Sequence, residues 1–146
     1  MDKIEYVYTF GMDDEEVTDI LREETVGALS LSKEGRAYAI PVGYIFEDSS
    51  LFIRLSEEHS NKKMDFIEGT TEACFLLYDV DDDDSWSIVA TGPLSELEPD
   101  EQAEFDPTRI NEEFRRLRIF DEDVEAVDLV IYELEIETLT GRKTGV

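Results

Sequence analysis

The 146-residue sequence has a formal net charge of −25, because its 38 acidic residues outnumber 13 basic ones and are spread along the whole chain. Such a surface repels the phosphates of nucleic acids and of anionic membranes, so neither is expected as a partner. No apolar run reaches the roughly 18 residues that a membrane-spanning helix needs. The 41% of hydrophobic residues are enough to bury the core of one domain over residues 1–146.

The charge and the cysteine content also indicate where the protein works. Dispersed acid on a lysine-poor chain favours a halophilic protein, since about 1 M salt screens charges within roughly 3 Å. An unusually acidic mesophilic domain is the alternative. Cys74 is the only cysteine, which excludes an intramolecular disulfide and a cysteine-based zinc site. The first residues show no basic region followed by an apolar one, so we expect a cytoplasmic protein without a secretory signal.

The first half of the chain predicts one helix followed by three strands. Residues 13–24 have acids in the first turn, where they suit the helix dipole, and a single apolar stripe. Strands are predicted at 26–32, 36–46 and 51–56, with turn residues between them, so the last two form a hairpin. In the middle strand, alternate residues share one face: Tyr38, Ile40, Val42, Tyr44 and Phe46.

The next segment predicts a short helix and two more strands. Residues 60–68 fit a helix that stops at Gly69. Residues 71–80 form a near-continuous apolar run, which is typical of a strand buried on both faces. After an acidic turn, residues 85–97 form another strand, in which Gly92 and Pro93 mark a bulge or bend.

The last third of the chain predicts a loop, a helix and a final strand. Residues 99–107 are expected to form the loop and residues 108–117 the helix. Residues 128–140 alternate apolar and acidic side chains, as a half-buried strand does. Residues 141–146 follow as a flexible tail.

This order of elements predicts a mainly β fold with peripheral helices. Six strands with long hairpins and few helices favour a closed or nearly closed antiparallel barrel. A doubly wound parallel sheet would need helices between most of its strands, and these are missing.

Two of the five lysines and the single histidine lie close together around the start of the short helix. Lys62 and Lys63 are adjacent, His59 precedes them, and Arg54 lies on the strand before. Ser60 can cap the helix, and a helix N-terminus with a hydroxyl and nearby cations is suited to holding a phosphate. The alternative is that the two lysines only neutralise nearby acids, and the charge pattern alone leaves both readings open. Those acids are Glu57, Glu58, Asp65 and Glu68.

Several segments, in this order, resemble the pyridoxamine 5′-phosphate oxidase-like superfamily of FMN-binding split barrels, and most closely its small nitroimidazole-reductase-like members. The segments are AYAIPVGYIFEDSSLFIRLS, the Ser-x-Lys of Ser60 to Lys62 opening a helix, CFLLYDV, SWSIVATGPL and ELEIETLTGRK. Together they extend over roughly residues 13–143. The resemblance implies a six-stranded antiparallel split barrel of the Greek-key type, in which two subunits form a homodimer with FMN at their interface.

The resemblance also implies roles for individual residues. Ser60 and Lys62 would contact the FMN phosphate, with His59 as a neighbour and Arg54 or Lys63 in support. The remaining positions would surround the flavin ring and the ribityl chain, or close the site from the other subunit. They are Ile40, Pro41, Val42, Gly43 and Ile53, and, in the closing segment, Trp86 and Ser87.

Two departures from the family pattern bear on function. The chain ends in ELEIETLTGRKTGV instead of the arginine-rich segment of true pyridoxamine phosphate oxidases, so that activity is not expected. Asn61 stands where the family often has an arginine, so either FMN binds more weakly here or Arg54 and Lys63 compensate.

We therefore predict an FMN-dependent oxidoreductase that reduces a small oxidised substrate, with no dedicated acid or base and no metal. Three alternatives stay open: a flavin carrier or sensor without turnover, a deazaflavin protein and a haem protein. Other candidate residues have ordinary interpretations. Cys74 is expected to be a buried packing thiol, and Asp81 to Asp84 a solvated turn, because a calcium loop would need a central glycine and a distal glutamate.

Overall fold

The computed structural model describes residues 9–56, 61–103 and 129–144 of the chain. Within these ranges nine β-strands form one antiparallel sheet, accompanied by three helices, none of which is long and apolar enough to cross a bilayer. In chain order the elements are β1 (Thr9–Gly11), α1 (Asp14–Glu23), β2 (Val26–Lys33), β3 (Arg36–Glu47), β4 (Ser50–Ser56), α2 (Asn61–Gly69), β5 (Ala73–Asp81), β6 (Asp84–Gly92), β7 (Leu94–Glu96), α3 (Pro99–Gln102), β8 (Leu129–Glu135) and β9 (Thr138–Thr144).

The sheet curls because two strand breaks bring its halves together. The strand order is β1-β9-β6-β5-β2-β3-β4-β8-β7, so β6 and β7 are consecutive in the chain but far apart in the sheet, as are β8 and β9. At the breaks, the Glu137 N–H donates to the Thr91 carbonyl (2.8 Å) and the Glu135 N–H donates to the Pro93 carbonyl (3.1 Å). The result is a mainly β, antiparallel fold consistent with a split barrel.

Gly92 lies at this junction, where the backbones approach too closely for a side chain. A Cβ atom at Gly92 would collide with the Glu135 carbonyl oxygen and lie 3.3 Å from the Glu137 nitrogen. We expect Gly92→Ala to lower the free energy of unfolding by about 2–3 kcal/mol, because relief would require breaking the junction. Urea denaturation measures this loss. Gly11→Ala is the matched control, since no atom lies within 4 Å of a Cβ there, and equal stability of the two variants would contradict the prediction.

The described part of the chain contains more strands than the six expected. The predicted strand at 128–140 is divided into β8 and β9, and the predicted strand at 85–97 into β6 and β7. The second division falls at Pro93, which has no N–H for the ladder. Residues 141–144, expected in a flexible tail, belong to β9 and pair with β1 and β6. Strand β1 is too short to show a periodic pattern in the sequence.

Strand β5 is buried on one face and not on both, which corrects the prediction for residues 71–80. Tyr78 and Val80 are 66% and 65% exposed, and Cys74 on the same side is half-buried, not fully buried as expected. An apolar run does not reveal whether its second face meets the core or is left open. The buried side of the strand is formed by Ala73, Phe75 and Leu77.

Helix α1 covers part of the core and is held at both ends. Asp13 caps it by accepting a hydrogen bond from the Glu16 N–H (2.8 Å), and Glu16 forms an ion pair with Lys143 of β9. Near the other end, the Tyr44 hydroxyl donates to the Leu21 carbonyl (2.8 Å), and burial raises the pKa of Tyr44. The alternation predicted for β3 is confirmed, because Tyr44 and its alternate neighbours all belong to or pack against the core.

The remaining helices agree with the sequence in part. Helix α2 is confirmed close to its predicted range of 60–68. Helix α3 lies in the segment 99–107 that was predicted as loop, and it begins with a proline and a capping box. The helix predicted at 108–117 lies outside the described residues.

Candidate functional site

Strand alternation divides the side chains of the sheet between two faces. The inner face holds the main core and includes Leu29, Val42, Ile53, Phe75 and Ile88. The alternate residues of the same strands form the outer face, and directly paired residues of neighbouring strands share a face. The pairing register therefore assigns each strand residue to one side or the other.

The outer face of the central strands contains almost no acidic residue. On β2, β5 and β6 there is none, and on β3 there is only Glu47, at the tip of the β3–β4 hairpin. In a chain with 38 acidic residues, this is the surface that an anionic or apolar partner approaches at least cost. We call it the acid-free patch; its members are Val26, Ala28, Ser30, Ser32, Ala37, Ala39, Pro41, Gly43, Ile45, Cys74, Leu76, Tyr78, Val80, Ser85, Ser87, Val89 and Thr91.

The acid-free patch is largely apolar, and much of it is open to solvent, although Gly43 is buried and Ile45 packs against a small cluster of Leu97 and Ile131. Tyr78 and Val80 are largely exposed on β5, and Ala37, Ala39 and Pro41 are exposed on β3. Contiguous apolar surface of this kind on a charged protein marks a site of interaction.

Two arginines flank the acid-free patch, each at the end of a row of directly paired residues. Gly43 of β3 pairs with Arg54 of β4, and at the other side Ser87 of β6 pairs with both Tyr78 of β5 and Arg142 of β9. Neighbouring members of such a row are about 4.8 Å apart. Arg54 is half-buried and Arg142 is exposed.

Four of the predicted site residues lie together on this outer face. Pro41 and Gly43 belong to the patch on β3, Arg54 borders it on β4, and Ser87 belongs to it on β6. Pairing of β3 with β4 begins at Gly43, so Pro41 and the preceding residues of β3 pair with β2 alone among the described strands. Gly43 is buried, so β3 is open to a ligand at Pro41 and at the exposed residues before it rather than at Gly43.

Four other predicted residues point the opposite way. Val42 and Ile53 are 2% and 0% exposed, and Ile40 and Trp86 pack partly buried against the same core. Their side chains therefore face away from the acid-free patch, and only their backbone groups are near it. The reason is the two-residue period of a strand: every second residue of a continuous run such as Ile40 to Gly43 belongs to the core.

The predicted phosphate-binding residues are described only in part. His59 and Ser60 lie outside the described residues. Lys62 and Lys63 belong to the first turn of α2, whose backbone begins at Asn61. The predicted helix is therefore present, and Lys62 and Lys63 lie at its N-terminal end.

The C-terminal half of α2 is fastened to β2. The Thr70 hydroxyl donates to the Phe66 carbonyl (2.5 Å) and accepts from the Ser32 N–H (3.2 Å), while Phe66 is buried. Lys33, which the sequence places in an exposed turn, is half-buried and forms an ion pair with Asp65. The position of α2, and with it that of Lys62, is thus set by contacts with the end of β2.

The sequence analysis missed two residues that the structure brings to this face. Tyr78 was included in a strand expected to be buried on both sides, and Arg142 was placed in a tail. The useful signal was the absence of acid at alternate positions of residues 74–80, combined with the adjacent cations Arg142 and Lys143. Cys74 lies on the same face, and burial is the main cause that raises the pKa of its thiol.

The acidic turn between β5 and β6 does not form a metal site in the structure. Asp81 to Asp84 are all exposed, and Asp82 adopts a left-handed conformation at φ 48°. Across the ranges 9–56, 61–103 and 129–144, no group of three or more His, Cys, Asp or Glu side chains is placed to hold a metal ion.

Comparison with known proteins gives one family match and a set of similar structures. The sequence model of a family described as pyridoxamine 5′-phosphate oxidase matches residues 13–143, whereas no curated protein matches the chain in sequence. A FAD-binding protein from Mesorhizobium loti is similar with a TM-score of 0.75 at 18% identity, covering 94% of this chain and 99% of its own.

Two further structures extend the comparison. A protein from Bacteroides thetaiotaomicron, named for 5-nitroimidazole antibiotic resistance, has a TM-score of 0.68 at 16% identity and covers 99% of this chain and 96% of its own. A FAD and heme binding protein from Mycobacterium smegmatis has a TM-score of 0.65 at 15% identity, covering 92% of this chain and 72% of its own. At these identities the structural likeness shows the fold alone.

Proposed function

Because this chain belongs to the pyridoxamine 5′-phosphate oxidase family, whose sequence model matches residues 13–143, we propose that it is a cytoplasmic, flavin-dependent oxidoreductase. Two copies of the chain hold FMN between them, and the substrate is a small oxidised compound such as a nitroaromatic or a quinone. The free thiol of Cys74 is compatible with a reducing compartment.

The observation that carries this proposal is the acid-free patch with Arg54 at its border. A flavin is a flat apolar ring joined to an anionic phosphate, so it needs an apolar surface next to a cation. The patch offers exposed apolar residues, among them Pro41 of β3, and the register puts Arg54 directly beside Gly43, two residues further along β3. The described residues therefore fit a flavin.

The phosphate anchor of the proposal consists of Lys62, Ser60 and Arg54, with His59 and Lys63 beside it. Lys62 is in the first turn of α2, where backbone N–H groups have no partner within the helix and attract an anion. The guanidinium of Arg54 presents paired donors that match phosphate oxygens. Only 13 residues of the chain are basic, against 38 acidic ones. The proximity of several cations at the start of α2 therefore supports a common role in binding the phosphate.

The ring lies along β3 in this proposal. Ile40, Pro41, Val42 and Gly43 contribute backbone groups, and Pro41 contributes its exposed ring. A bound flavin supplies hydride and electron transfer, so the chain needs to provide position and exclusion of water but no dedicated acid or base. Apolar neighbours such as Tyr78 serve that exclusion when the face is covered.

A second copy of the chain is the proposed cover of the acid-free patch. The patch is apolar, exposed and without repulsive carboxylates, as a surface that meets its own copy should be in so acidic a protein. Ser87, with the backbone of Trp86, would then approach the flavin from the partner subunit. We include halophilic behaviour in the proposal, because screening by salt lowers the repulsion between two chains of −25 each.

Two variants of this function differ in cofactor or turnover. FAD is the alternative flavin, supported by the names of the Mesorhizobium loti and Mycobacterium smegmatis proteins. The name of the Mycobacterium smegmatis protein also includes heme, so haem is a further alternative cofactor. A carrier or sensor would bind flavin without turnover. Oxidation of pyridoxamine phosphate is not proposed, because β9 contributes only two cations, Arg142 and Lys143, and Lys143 forms an ion pair with Glu16.

The test is a spectrum followed by single-turnover kinetics. Protein purified in molar KCl is scanned for flavin bands, and the released chromophore is identified by chromatography as FMN, FAD, deazaflavin or haem. Stopped-flow reduction by NADH or NADPH, then reoxidation by a nitroaromatic, measures turnover. Flavin with reoxidation supports the oxidoreductase, flavin without it supports the carrier, and a protein that neither retains nor rebinds flavin overturns the proposal.

A further inference from the structure

Lys33 connects the sheet to the helix that carries the proposed phosphate anchor. It is the last residue of β2, and its ammonium group forms an ion pair with Asp65 of α2. Its hydrocarbon stem crosses the end of the helix at Gly69, where a Cβ atom would lie 2.6 Å from the Lys33 Cδ. The absence of a side chain at Gly69 thus allows Lys33 to reach Asp65.

The surroundings of Lys33 are acidic. The hydrogen bond with Asp65 is the main cause that raises the pKa of Lys33, and the charges of Asp65, Glu34 and Glu68 act in the same direction. Lys33 therefore stays charged over the whole working pH range and is directed towards Asp65 in particular. The two side chains are 31% and 57% exposed, so the pair is a surface one and contributes little to stability by itself.

The position of Asp65 on α2 gives this surface pair a consequence for binding. Asp65 is three residues after Lys62, and residues with this spacing are neighbours on one side of a helix, about one turn apart. An unneutralised carboxylate at Asp65 competes for the Lys62 ammonium and repels an anion bound there. Lys33 engages that carboxylate in an ion pair.

From these contacts we infer that Lys33 is a positioning residue for the flavin phosphate: by engaging Asp65 it keeps Lys62 available and removes a repulsive charge from the start of α2. This inference rests on the proposed function, since it takes the phosphate to bind at Lys62. Lys33 thus raises the affinity for FMN electrostatically, by neutralising the carboxylate of Asp65.

A charge cycle tests the inference. FMN affinity is measured by flavin-fluorescence titration for Lys33→Met, Asp65→Asn, the double variant and Arg36→Met. Arg36 is the matched control, because it is the register partner of Lys33, is exposed and carries the same charge. Titrations run downward from molar KCl over the range in which melting curves show every variant folded, and riboflavin, which has no phosphate, is the parallel ligand.

The expected pattern is specific to charge. Lys33→Met lowers FMN affinity about threefold to tenfold at roughly 0.2 M salt and less than about twofold at 1 M, because the effect is screened. Asp65→Asn keeps or raises the affinity, and the double variant returns to the wild-type value. Riboflavin affinity and the Arg36→Met variant stay within about twofold of wild type.

Two results separate failure of the inference from failure of the proposed function. If Asp65→Asn weakens FMN binding as much as Lys33→Met does and the double variant does not recover, the pair only supports the helix, and the inference is overturned. If wild-type protein binds FMN no better than riboflavin, there is no phosphate anchor, and the proposed function fails together with it.

Discussion

Lys62→Ala is expected to lower the affinity for FMN by tenfold or more. A hydrogen bond between an ammonium group and a phosphate is worth about 1.5–3 kcal/mol, and about 1.4 kcal/mol corresponds to a factor of ten in affinity. Lys62 is also in the first turn of α2, where the helix dipole adds to its attraction for an anion. Fluorescence titration of apoprotein with FMN measures the change directly.

The control for this variant has to remove a cation without touching α2. Lys33 is unsuitable, since it forms an ion pair with Asp65 of that helix. Arg36→Ala is suitable because Arg36 is exposed at the start of β3, and we expect it to leave FMN affinity within about twofold of wild type. Riboflavin should bind the wild type and Lys62→Ala equally. Equal retention of FMN by Lys62→Ala and Arg36→Ala would show that the anchor is elsewhere.

The elements that could be predicted are those in which local pattern and burial agree. Helix α1 has an N-cap, acids in its first turn and one buried stripe, and strand β3 alternates between core and solvent over its whole length. Each of these segments contains its own boundary signals: Asp13 before the helix, and turns with left-handed residues at Glu34 and Asp48. The sequence was therefore sufficient for the order and type of these elements.

The elements that could not be predicted depend on tertiary contacts. The alternation of Val130 to Ile136 changes phase at Leu139, but this shift alone does not reveal a break, because the break between β8 and β9 is made by hydrogen bonds to residues distant in sequence, such as Thr91 and Pro93. The same contacts are what place residues 141–144 in the sheet. The identity of these distant partners is not contained in any local pattern.

The sequence indicated which strands carry the candidate site residues, but it did not indicate on which face of the sheet each residue lies. The resemblance pointed to residues of β3, β4 and β6, but it named consecutive residues, and consecutive residues of a strand point to opposite sides. Register separates them into Pro41, Gly43, Arg54 and Ser87 on the outer face and four core residues on the inner one. The acid-free patch follows from the pairing register, because the register determines which residues of different strands share a face.

The second large effect is expected from a charge placed in the acid-free patch. Tyr78→Glu should weaken self-association by about 100-fold or more, because like charges brought together at an interface between identical chains cost several kcal/mol. Tyr78 is 66% exposed, so the substitution leaves the core of a single chain intact. Sedimentation equilibrium across a protein concentration series gives the dissociation constants, and melting curves verify that the variant is folded.

Two further variants and a salt series make this result specific to the patch. Ser95→Glu adds the same charge at an exposed position of β7, outside the patch, and should leave association unchanged. Tyr78→Phe retains the apolar ring and should retain the dimer. Because salt screens the added carboxylate, molar KCl should recover part of the association that Tyr78→Glu loses, and should also tighten the wild-type dimer.

If the wild type is monomeric in molar KCl, or if Ser95→Glu dissociates the chains as strongly as Tyr78→Glu, the acid-free patch is not where two copies meet. The flavin would then have to bind within a single chain.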